Sequence, residues 1–158
     1  MKRDTKVFFT RLWIIFLLTS LSAITTTALS SAATPQIGES YGGGVVFYVD
    51  GTGQHGLIAA KTDMPGHSFQ KEEGFFNWYG AKDVANAFVE GFSDWFLPNR
   101  EQLHTLYINR SAAGMATTVY WSSSDAEAES AWAENFASGE QLVGNKTNGS
   151  RVRAVRLF

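Results

Sequence analysis

No cysteine occurs among the 158 residues. Disulfide scaffolds, thiolate zinc sites and cysteine nucleophiles are therefore excluded. Proline appears only three times beside 15 glycines, which fits neither collagen nor a proline-rich linker. Basic charge is thin as well. The chain carries 13 Lys+Arg against 15 Asp+Glu, a formal −2. Four of the basic residues, Lys2, Arg3, Lys6 and Arg11, lie in an N-terminal segment that reads as removable. Without residues 1–33, nine basic side chains stand against fourteen acidic ones, a net of −5. A general nucleic-acid binder needs Lys and Arg to displace counterions from phosphates, so nucleic acid is not an expected partner. What is present is apolar. Hydrophobic residues make up 44% and aromatic residues 14%, which argues for a packed core and against disorder.

The first 33 residues have the three parts of a secretory signal peptide. Met1 to Arg11 carries positive charge. Leu12-Trp13-Ile14-Ile15-Phe16-Leu17-Leu18 opens an apolar stretch that runs to about Ile24. Ser31-Ala32-Ala33 then supplies small side chains for cleavage before Thr34. The apolar part falls short of the roughly 20 residues a membrane-crossing helix needs. The expectation is an exported protein, secreted, at the cell surface or periplasmic. No stable membrane span is expected after cleavage, and retention as an N-terminal anchor is the alternative. Residues 34–158 then read as one domain, long enough to hold a core without covalent staples.

Gly42-Gly43-Gly44 leads into Val45-Val46-Phe47-Tyr48-Val49, a β-branched and aromatic run that reads as a strand. Turn residues 50–56 follow, then Leu57-Ile58-Ala59-Ala60, so 44–61 reads as a hairpin. Residues 62–80 are irregular and rich in rings: Phe69, Phe75, Phe76, Trp78 and Tyr79. Their number predicts a loop folded back onto the core. Ala81 to Val89 is a first helix, with Val84, Ala85, Phe88 and Val89 on one face and Gly91 able to end it. Asn99 is a good N-cap for a second helix, with Gln102 completing a capping box and Glu101 in the first turn. Leu103, Leu106 and Tyr107 would face the core. After a loop at 109–118, strands are expected at 119–124, 131–136 and, weakly, 140–146, with an acidic turn at 125–129. Asn148-Gly149 signals a hairpin before a closing strand, 151–158. The order is α+β.

Few residues combine into chemistry. His55, His67 and His104 are not at metal-ligand spacing and read as surface imidazoles. Ser122-Ser123-Ser124 lacks a nucleophile elbow and reads as a strand satisfying its own backbone. Asp125, Glu127, Glu129 and Glu134 lack the order of a calcium loop and read as a solvated turn. Arg151, Arg153 and Arg156 read as either an anion-binding patch or partners of that acidic turn. No cofactor and no metal are expected. Trp95, Trp121 and Trp132 are expected in the core, Trp121 and Trp132 as cross-strand partners. Trp78 stands apart in the irregular stretch.

Four segments form an ordered series. They are Ser93-Asp94-Trp95-Phe96-Leu97-Pro98-Asn99-Arg100-Glu101-Gln102-Leu103, Tyr120-Trp121-Ser122-Ser123-Ser124, Ala131-Trp132 with Asn135-Phe136 and Gly139, and Val152-Arg153-Ala154-Val155-Arg156. The series resembles the Lcl C-terminal domain family, which ends certain bacterial collagen-like adhesins and also occurs alone in exported bacterial proteins. Residues 42–49 and 55–60 look like the opening hairpin of one subgroup. The resemblance covers about 38–158. It implies a C-type-lectin-like fold: a twisted antiparallel sheet, two short helices and long loops. Some members bind sulfated glycosaminoglycans through a basic surface, which the net charge here opposes.

The motifs read as framework. Asp94 is placed to accept a hydrogen bond before the second helix, Trp95 and Leu97 anchor that reversal, and function is left to loops 62–80 and 109–118. The expected function is a non-enzymatic binding module that recognises a carbohydrate or a protein. Phe76, Trp78 and Tyr79 are the candidate contacts. A structural or assembly subunit of an envelope or appendage complex is the alternative, and an oligomer is compatible with either.

Overall fold

The computed structural model describes residues 34–88 and 91–158. The signal-like segment 1–33 and the expected helix position Val89 lie outside the described residues. The described chain is α+β. Strands β1 (Ser40–Tyr41), β2 (Gly44–Val49) and β3 (Gly56–Ala59) come first. Helices α1 (Trp78–Ala87) and α2 (Arg100–Ile108) follow, then β4 (Val119–Glu127), β5 (Ser130–Asn135), β6 (Glu140–Asn145) and β7 (Val155–Leu157). There are two antiparallel sheets rather than one: a four-stranded sheet ordered β1-β2-β3-β7 and a three-stranded sheet ordered β4-β5-β6. The expected hairpin is β2–β3, with a bulge between Val46 and Tyr48.

That bulge lets consecutive residues enter two different cores. Val46 packs with Ile58, Trp78, Trp95, Trp121, Ala133 and Val152. Phe47 packs with Leu103, Leu106, Tyr120, Phe136 and Val155. The three-stranded sheet divides in the same way, Trp121 and Ala133 to the first core and Tyr120 and Phe136 to the second.

Several boundaries differ from the sequence expectation. Helix α1 starts at Trp78, not Ala81, because Asn77 caps it by accepting the Gly80 N–H (2.9 Å). It ends at Ala87, before Gly91. Strand β4 runs on through Glu127, so the acidic residues sit largely on a strand, and the turn is Ala128-Glu129. Asn148-Gly149 does not close a hairpin onto β6. The chain leaves the sheet there and becomes a seam.

Along the seam, Ser150 exchanges backbone hydrogen bonds with Phe76, and Arg151 bonds to Val119 and Trp121. Val152 and Ala154 accept from Met64 and Ala60. Val155 pairs with Phe96 and, in β7, with Ala59. A single β-strand over 151–158 is thus replaced by a three-residue strand and a run of isolated bridges. Each residue there answers a different neighbour.

Helix α2 begins as its sequence says. Asn99 Oδ1 accepts the Gln102 N–H (2.8 Å), and Gln102 Oε1 accepts the Asn99 N–H (2.9 Å). The Arg100 N–H donates to Ser124 Oγ (3.0 Å) and Pro98 O accepts the Ser123 N–H (2.8 Å), which ties the helix start to β4. Replacing Asn99 with Ala should cost about 1 kcal/mol, read as a lower midpoint in urea with an unchanged slope.

Candidate functional site

Helix α2 lies along β5. Four helical residues advance about 6 Å and two strand residues about 6.6 Å, so the two elements keep step. The result is a ladder of side-chain pairs. The Arg100 guanidinium lies 3.6 Å from the centroid of the Trp132 ring. His104 Nδ1 meets Glu134 Oε1 at 2.8 Å. The Tyr107 ring meets Phe136 edge-on at 5.6 Å. On the far side, Gln141 of β6, opposite Glu134, accepts from Arg100 Nε (2.8 Å) and Nη2 (2.6 Å).

At the open end of this ladder is a cleft of about 340 Å³, lined by Asn99, Arg100, Glu101, Ser124, Asp125 and Trp132. Its chemistry is mixed. Asn99 has spent its oxygen on the helix cap, so its amide nitrogen still has hydrogens to donate. Ser124 Oγ accepts from Arg100 and keeps its own hydrogen to give. Asp125 and Glu101 supply carboxylate acceptors. Asp125 is anchored by Lys146, whose ammonium is buried against the Trp78 ring and donates to Ala128 O (2.9 Å). Trp132 supplies a half-buried aromatic surface.

The sequence-expected contacts fall elsewhere. Phe76 and Trp78 are both only 4% exposed, inside the first core. Trp78 Nε1 donates to Ser122 O (2.8 Å), and Lys82 and Lys146 lie over the ring. Tyr79 is 52% exposed at the start of α1. The roles of two tryptophans are exchanged: Trp78 is core, and Trp132 is at the surface. Trp121 pairs with Ala133, so the next residue, Trp132, points to the opposite face and is no cross-strand partner of Trp121. Trp95 and Trp121 are buried as expected. Loop 62–80 does fold back, with Phe69 against Gly149 and Phe75 under the Arg151 guanidinium. Neither it nor 109–118 contributes to the cleft lining.

The arginines form neither an anion patch nor a bridge to the acidic turn. Arg153, 3% exposed, binds Asp63 through Nε (2.8 Å) and donates Nη1 to Ala60 O and Ala113 O. Asp63 also accepts the Tyr120 hydroxyl (3.0 Å). Burial, with Asp63 adding to it, pushes the Tyr120 phenol up to about 12. Arg156 forks onto both oxygens of Asp94 (2.8 and 3.0 Å), which makes Asp94 the acceptor expected there. The side-chain hydrogen bond from Arg156 holds that carboxyl below its ordinary value. Arg151 is 4.0 Å from Asp63. These are internal partners, distant in sequence.

Sequence reasoning also missed the His104–Glu134 pair. His55 and His67 are exposed, whereas His104 is engaged. Glu134 is fully buried. The signal was present: spacing of four then three in Arg100-His104-Tyr107 against alternation in Trp132-Glu134-Phe136.

A family model described as the Lcl C-terminal domain matches residues 54–156. The chain belongs to the Lcl C-terminal domain family. No curated protein matches it. In this Lcl C-terminal domain the matched span takes in every cleft residue, while β1 and β2 precede it. The family is adhesin-type, a class of binding modules rather than of catalysts. Its motif residues here divide between framework and cleft. Trp95, Leu97, Trp121 and Arg153 build the interior, whereas Asn99, Arg100, Glu101, Ser124 and Trp132 reach the cleft. Among the described residues no helix is long and apolar enough to cross a membrane.

Proposed function

We propose that this protein is an exported binding module, acting at the cell surface or in the periplasm, that recognises a carbohydrate through the Trp132 cleft. The observation that supports it is the lining itself. A half-buried indole stands beside an amide, a hydroxyl and two carboxylates, the mixture of donors and acceptors that suits a polyhydroxylated ring. Glu101 and Asp125 on the rim, with a net charge of −5 over residues 34–158, favour an uncharged or amino sugar over a sulfated polyanion. Tyr79 is a secondary contact in this reading, since its ring is exposed. The buried Phe76 and Trp78 support the scaffold under it.

A glycan array probed with the purified protein tests the reading. Binding to neutral or amino sugars is expected. Trp132→Ala should weaken it about tenfold, the scale of one lost aromatic contact, with the circular dichroism spectrum unchanged. Silence on the array, or equal binding by Trp132→Ala, overturns the assignment.

A further inference from the structure

Glu134 is a costly residue to have beneath α2. Its side chain is buried, Oε1 is held by His104, and Oε2 has no hydrogen-bond partner among the described residues. A carboxyl left half-paired in the interior is retained against a penalty of about 1–3 kcal/mol. The groups around it come from every packed element. Helix α2 presents His104 and, one turn earlier, Arg100. Strand β6 presents the neutral Gln141, and exposed Glu140 is its neighbour. Strand β4 presents Tyr120, whose hydroxyl is committed to Asp63. On β5 itself the same face carries Trp132 and Phe136, both uncharged. Arg100 and His104 are thus the cations near Glu134, and Arg100 also covers the Trp132 ring of the cleft.

We propose that Glu134 is a positioning residue for the cleft: as a carboxylate it keeps Arg100 and Gln141 in place over Trp132, and on taking up a proton it releases Arg100 and uncovers the indole. The inference rests on the cleft being the binding site, and adds that its occupancy is linked to pH. Ionised, Glu134 attracts the guanidinium and orients the Gln141 side chain that grips it. Neutral, it attracts neither. Burial pushes the Glu134 carboxyl above its ordinary value, and the His104 contact works against that rise. The proton therefore arrives on the acid side of neutrality, earlier than at an exposed glutamate.

Nuclear magnetic resonance on the ligand-free protein tests the coupling without any glycan. The Arg100 Nε–H and Trp132 indole N–H signals should shift with a single inflection that matches the Glu134 side-chain carbon. In Glu134→Gln that inflection should vanish from both. In His104→Gln it should persist and move to higher pH, because the group that lowers the carboxyl's proton affinity is gone. Signals that ignore the Glu134 inflection overturn the proposal. So does an inflection that disappears with His104→Gln. A second arm repeats the glycan array at pH 5 and pH 7.5. An affinity about fivefold higher at the acid pH is expected, lost in Glu134→Gln, and a pH-independent affinity sinks the inference. A silent array at both values removes the carbohydrate reading alone, and the spectra still decide the coupling.

Discussion

Arg153→Met should destabilise the protein by about 3–5 kcal/mol, the cost of removing one partner from a buried ion pair. Arg153 is 3% exposed, and its guanidinium meets Asp63, Ala60 O and Ala113 O. Methionine fills much of the volume and restores none of the donors. Asp63 would keep the Tyr120 hydroxyl and an Arg151 guanidinium 4.0 Å away. Two carbonyls would lose a donor in a place water reaches poorly. A domain of this size has about 5–15 kcal/mol in total, so the midpoint in urea should fall by a third or more. Arg153→Lys should recover part of the loss, since an ammonium restores charge but not the fork. A change under 1 kcal/mol for Arg153→Met would show that Asp63 and the carbonyls find water instead.

Trp121→Ala should cost a comparable 3–5 kcal/mol, for a different reason. The ring is 1% exposed and lies against Gly144, where an added Cβ would fall 2.8 Å from the ring. Its Nε1 donates to Phe76 O at 2.8 Å. Truncation opens a large void in the first core and orphans that carbonyl. Gly144 has no side chain with which to close the gap, so relaxation is limited. Chemical denaturation followed by circular dichroism measures the loss. Trp121→Phe separates the two causes. It keeps most of the volume and drops the hydrogen bond, so it should cost clearly less than Trp121→Ala. Equal losses would assign the whole effect to the lost N–H.

What could be read from the chain beforehand divides by sequence distance. The Asn99–Gln102 capping box was legible because both partners lie within one helical turn. So was the β2–β3 hairpin, whose turn residues sit between its strands. Burial of Trp95 and Leu97 followed from their apolar neighbours and from Pro98 after them. Trp132 was misplaced because its face depends on the register of β5 against β4, and alternating Ala and Trp look alike in either register. Trp78 was left among the loop rings because α1 starts earlier than its apolar spacing suggests. Asp63 and Arg153 are 90 residues apart, and no local pattern joins them. The cleft combines the start of α2 with two strands, so it exists only once those elements meet. Its residues were each noticed, and the grouping was not.

The seam at 150–157 also sets a time order. It bonds to Phe76, to Val119 and Trp121, to Ala60 and Met64, to Phe96 and to β3. Almost every one of those pairings bridges a long stretch of chain, which makes folding slow. A polypeptide emerging from the ribosome must expose Leu157 before both halves can latch. Until then its earlier segments stay pliable, and a pliable strand can be threaded through a narrow channel where a locked one would jam.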